Sequence, residues 1–81
     1  MEVFSMNNKR RKKLEILSTE IEQINSRIQD IYEEEQECLD NMPENLQGSD
    51  RYSKAEECCE HLEECIDLLS EVVDIIEEVM S

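Results

Sequence analysis

Apolar residues recur at Leu14, Leu17, Ile21, Ile24, Ile28 and Ile31, and then at Cys38. Alternating steps of three and four residues mark a helix with one heptad seam. Leu14, Ile21 and Ile28 take one core position of that seam. Leu17, Ile24, Ile31 and Cys38 take the other. Glu35 falls where a further core residue is due. No glycine or proline interrupts the run, and its many Glu and Gln residues favour helix. The pattern predicts a first helix over residues 8–41.

A second apolar pattern follows at Ala55, Cys58, Cys59, Leu62, Cys65, Ile66, Leu69, Val72, Val73, Ile76, Val79 and Met80, widened by Leu68 and Ile75. It predicts a second helix over residues 49–80, with a broader apolar face than the first. Between the two lies the turn, residues 42–48, which holds the only proline and the only glycine of the chain. Pro43 cannot continue a helix, because it lacks an N–H and its ring meets the preceding turn. It also turns Met42 away from helical dihedrals. Pro43 to Gln47 can form one short turn of their own, and Gly48 is the residue that permits a positive φ. Ser49 is the expected N-cap of the second helix, with Asp50 in its favoured first turn. Ser53 with Glu56 offers a later capping box.

Two helices of matched length, each about 50 Å long, imply an all-α antiparallel helical hairpin forming a single domain, residues 1–81. A chain of this size rarely gains more than about 3–5 kcal/mol from its own core. The surplus apolar face of the second helix therefore points to a homodimer, two hairpins making a four-helix bundle. The expected helix–helix or dimer interface comprises Leu14, Leu17, Ile21, Ile24, Ile28, Ile31, Cys58, Leu62, Cys65, Ile66, Leu69, Val72, Val73 and Ile76. Glu35 is expected at a solvated end where the helices part toward the turn, with Arg51 or Lys54 as alternative partners.

Charge changes this picture in two ways. Residues 1–13 carry five basic and one acidic residue, whereas residues 14–81 carry three basic and 21 acidic residues. The bend should bring Lys9, Arg10, Arg11, Lys12 and Lys13 beside Glu71, Asp74, Glu77 and Glu78 and the negative end of the second helix. The acidic body, with a net charge of −14 for the whole chain, disfavours direct contact with nucleic acid or anionic membranes. It favours basic protein partners. Twenty-one carboxylates along about 50 Å give one per roughly 2.4 Å, near the spacing of about 1.7 Å in duplex DNA. Val3 and Phe4 are isolated apolar residues, and either Met1 or Met6 is a plausible translation start. The polar N-terminus does not read as a signal peptide, and no apolar run reaches the roughly 20 residues of a membrane span. A cytoplasmic protein with reduced thiols is expected.

Candidate chemistry is sparse. Cys58, His61 and Cys65 share one helical face, and Cys38 near the turn is a conceivable fourth zinc ligand. The three lie on a single helix without a paired C-x-x-C knuckle, and cysteine also packs as a small hydrophobe. Core packing is the expected role, with no metal and no cofactor. One histidine and carboxylates on solvated faces give no catalytic constellation, so no enzyme is expected.

The run from Glu37 to Glu57, through Asp40-Asn41-Met42-Pro43-Glu44-Asn45-Leu46-Gln47-Gly48-Ser49-Asp50-Arg51-Tyr52, resembles a group of small acidic proteins. These belong to phages, prophages and mobile elements of Gram-positive bacteria. The likeness extends into the acidic second helix and back to the basic start. It implies an accessory protein of a mobile element, with no assigned activity or site residues. The chain departs from that pattern at its cysteines, where small residues such as alanine are commoner.

Overall fold

A computed structural model describes residues 7–81. Helix α1 spans Asn8–Asp40 and helix α2 spans Asp50–Met80, joined by a loop with one 3₁₀ turn at Glu44–Leu46. The two helices pack antiparallel as a hairpin rod of 67 × 17 × 12 Å. Val3, Phe4 and the alternative starts Met1 and Met6 lie outside the described residues. Among the described residues, no helix is long and apolar enough to cross a membrane.

Local chemistry accounts for each helix end. The Asn7 side chain caps α1 by accepting from the Arg10 N–H at 2.9 Å. At the other end Met42 N–H bonds back to the Leu39 carbonyl, and Pro43 prevents another turn. The 3₁₀ turn closes through Leu46 N–H to the Pro43 carbonyl at 2.9 Å and Gln47 N–H to the Glu44 carbonyl at 3.2 Å. Ser49 then ties loop to helix, because its hydroxyl donates to the Leu46 carbonyl at 2.6 Å and accepts from Tyr52 N–H at 3.3 Å. This fixes the start of α2 at Asp50 rather than at the later Ser53 alternative. Gly48 does not adopt the positive φ expected of it, and a Cβ there would meet open space. Its conformation suits any residue.

On α1 one row of the seam lies one position past Leu17, Ile24, Ile31 and Cys38, while Leu14, Ile21 and Ile28 keep their expected places. On α1 the whole seam comprises Leu14, Ser18, Ile21, Asn25, Ile28, Tyr32, Glu35 and Leu39, all buried or half-buried. On α2 it comprises Tyr52, Ala55, Cys59, Leu62, Ile66, Leu69, Val73, Ile76 and Met80. Both sets keep the 3-4 spacing of a coiled-coil contact. Leu17, Ile24, Ile31 and Cys38 are therefore exposed rather than in the seam, as are Cys58, Cys65 and Val72. The core is thin. Leu39, Cys59 and Val73 are its only buried apolar residues among those described, and no large side chain is fully enclosed.

Two electrostatic expectations change. Arg11 does reach the end of α2, where its Nε donates to the Met80 carbonyl at 2.8 Å and satisfies an end-of-helix acceptor. The expected ion pairs with Glu71, Asp74, Glu77 and Glu78 do not form. Among the described residues the one salt-bridge contact is His61 to Glu64 at 3.7 Å, within α2. Long, exposed side chains gain little from such pairing once their lost freedom is counted. Glu35 also differs, since it sits half-buried in the seam without an ion pair to Arg51 or Lys54. The helices do not part there, because Leu39 beyond it is only 5% exposed.

Candidate interaction surface

The hairpin has two unlike faces, and the seam defines them. On one side, Glu22, Ser26 and Gln29 of α1 line a cleft with Ser70 and Asp74 of α2, over Asn25 and Val73. Nearer the turn, Gln36 of α1 meets Glu56, Glu60 and Glu63 of α2 over Tyr32, Leu39 and Cys59. That side is polar and strongly acidic along its length.

Helical geometry then sets the opposite side. A residue three positions after Leu14, Ile21, Ile28 or Glu35 projects away from the acidic cleft. Those residues are Leu17, Ile24, Ile31 and Cys38. The same step from Ala55, Leu62, Leu69 and Ile76 gives Cys58, Cys65, Val72 and Val79. The two stripes therefore flank the seam on one common face. Leu17, Ile24, Ile31, Val72 and Val79 are each about half exposed, and Leu68 and Ile75 widen the face at the edge of α2. Scattered exposed apolar residues are ordinary, but a contiguous stripe along one face is a candidate interaction surface. Ile16 and Leu46 are exposed as well and lie outside this stripe.

The sequence-predicted interface thus separates into two sets. Leu14, Ile21, Ile28, Leu62, Ile66, Leu69, Val73 and Ile76 are brought together within the hairpin. Leu17, Ile24, Ile31, Cys58, Cys65 and Val72 form the outer face. Sequence reasoning missed Ser18, Asn25, Tyr32 and Leu39 as seam residues. The available signal was their own spacing of seven, in step with Leu14, Ile21 and Ile28 by four rather than three.

Asn25, at 9% exposure, is with Ser18 one of two buried polar residues inside the seam. Its Nδ2 donates to the Ser70 hydroxyl at 3.3 Å and to the Ile66 carbonyl at 3.5 Å. Its Oδ1 is buried without a partner. Two long hydrogen bonds return little against an unsatisfied buried acceptor.

Titration in the seam near the turn follows from burial. Cys59 is buried, which raises its thiol above the ordinary 9.0, with Glu35 and Cys58 adding to the effect. Tyr32 is raised above 10.0, first by desolvation and then by the Glu63 carboxylate. Both groups become anionic on losing a proton, and the folded state resists that loss. The unfolded chain therefore ionises first. The stabilisation is complete below the ordinary values and is lost as pH rises past them. Melting temperature should fall as pH rises from about 8 to about 10.5, and Tyr32→Phe and Cys59→Ala should each flatten the slope. Thermal melts by circular dichroism across that range check this.

Metal and catalytic chemistry gain no support from the geometry. Cys38, Cys58 and Cys65 are exposed thiols, and Cys59 alone is buried. Among the described residues, no three His, Cys, Asp or Glu side chains converge as a metal site. His61 stands 73% exposed in a shallow surface groove with Glu60, Glu63, Glu64, Asp67 and Leu68, where water screens every charge. No family model, curated protein or solved structure matches the chain.

Proposed function

We propose that the protein is a non-enzymatic protein–protein interaction module of a phage or mobile element, acting in the cytoplasm and self-associating through its apolar face. One observation carries this reading: a continuous apolar stripe on the outside of a hairpin whose own core is thin. Two copies packed on that face make a four-helix bundle with the acidic faces outward. Burying these half-exposed side chains from both copies supplies on the order of 10–20 kcal/mol gross. The cost of association is roughly 4–15 kcal/mol. The mid-range balance of about 5 kcal/mol supports a dimer that forms at tens to hundreds of micromolar. Coupling of association to stability gives a test. The melting temperature should rise by several degrees between about 5 and 500 µM protein, and a concentration-independent value would count against the dimer.

A second reading concerns the acidic face. It carries Glu22, Asp74, Glu56, Glu60 and Glu63 in the two clefts, and among the described residues no lysine or arginine pairs with them. Such a surface suits a basic protein partner, including a host enzyme whose site normally holds nucleic acid. On this reading the protein is an acidic nucleic-acid mimic. Capture of a basic host protein that weakens steeply as salt rises would support it, and salt-insensitive capture would contradict it.

A further inference from the structure

We propose that the second copy docks in one defined orientation: antiparallel, α1 against the partner's α1, about a two-fold axis passing near Ile24 and Val72. This rests on the dimer reading above and adds which way round the copies sit. A face of two antiparallel helices can pair with itself in two symmetric ways. The turns lie at the same end, with α1 against the partner's α2, or at opposite ends, with like helices in contact.

The edge of the apolar face on α1 decides between them. Beside Leu17, Ile24 and Ile31 run Lys13, Glu20, Arg27 and Glu34, all exposed and spaced by seven. Their signs alternate. Turned antiparallel about Ile24, this row complements itself, placing Lys13 opposite the partner's Glu34 and Glu20 opposite the partner's Arg27. Each pair occurs twice. In the same register Leu17 lies beside the partner's Ile31, and Ile24 meets its own copy. Residue 24 is also the midpoint of Asn8–Asp40, so the two α1 helices overlap over their full length. On α2 that axis falls near Val72, between Leu68 and Ile75, the apolar residues at its outer edge.

The other orientation sets Glu20 and Arg27 against Ile75 and Leu68 of the partner. It also crowds the two basic tips, Lys9 to Lys13, at one end and the acidic turns at the other. Like-charge juxtaposition of that kind is a means of rejecting the wrong partner geometry. The antiparallel arrangement instead brings each basic tip to an acidic turn end.

The test uses the two single variants E20K and R27E. Both positions are exposed, so circular dichroism should show the helix content unchanged. Each variant places two like-charge contacts across the axis and should weaken self-association by at least about tenfold at low salt. Mixed in equal amounts, the two variants form only opposite-charge contacts. The mixture should recover a heterodimer with affinity near that of the unmodified protein, read by sedimentation velocity at matched total concentration. A mixture that associates no more tightly than either variant alone overturns the orientation while the dimer itself stands. An unmodified protein that stays monomeric under the same conditions overturns the dimer, and the orientation with it.

Discussion

Replacing Ile24 by aspartate should reduce self-association by at least about a hundredfold while leaving the hairpin folded. The residue is 48% exposed, so its apolar contribution within one copy is modest. Helix propensity costs only a few tenths of a kcal/mol at such a site. In the proposed dimer, the two-fold axis would bring the two introduced carboxylates together in the middle of an apolar interface. Each would lose water without gaining a partner, and the two would repel. A loss of about 3 kcal/mol or more follows from desolvation alone. Ser26→Asp is the control, since it adds the same charge two positions along the chain, on the acidic face. It should leave association nearly unchanged. Equal losses for the two variants would show that net charge, not the apolar face, governs association.

Asn25→Leu should act in the opposite sense and raise stability. Asn25 contributes two long hydrogen bonds and one unsatisfied buried oxygen to a seam otherwise lined at this level by apolar residues. Leucine removes the unsatisfied acceptor and adds apolar burial, together worth about 1–3 kcal/mol. For a chain of this size that corresponds to a rise of roughly 4–8 °C in melting temperature per kcal/mol. A polar residue in such a position can fix the register of the helices at the expense of stability. The variant should therefore be more stable and less uniquely paired, with broader resonances in an amide NMR spectrum. A fall in melting temperature would mean that Asn25 is a net stabilising contact, satisfied by ordered water at Oδ1.

Much of the hairpin was legible in the sequence, because its determinants are local. Pro43 ends one helix through covalent geometry, Ser49 begins the next through one hydroxyl, and both act within a few residues. The choice of seam was not legible. Leu14, Ile21 and Ile28 belong to two overlapping heptad patterns, one continued by Leu17, Ile24 and Ile31 and the other by Ser18, Asn25, Tyr32 and Leu39. Hydrophobicity favours the first, whereas α1 turns the second toward α2. Near the turn this places the large Tyr32 and Leu39 beside the small Cys59. A periodic pattern marks an apolar stripe but not which row of it faces the other helix. Gly48 departs from expectation for a related reason: glycine permits a positive φ without requiring one.

The candidate surface was half legible. In the sequence its residues read as an interface but merge with the inner seam, because both follow the same period. The acidic face was visible only as composition. Its segregation from the apolar stripe depends on the rotation of α1, which no local signal specifies.

Sedimentation equilibrium of the unmodified chain between about 5 and 500 µM tests the central claim most directly. A dimer of the 9.6 kDa chain, dissociating toward the low end of that range, is the predicted result. A single species at the mass of one chain throughout, with full helix content, would contradict it.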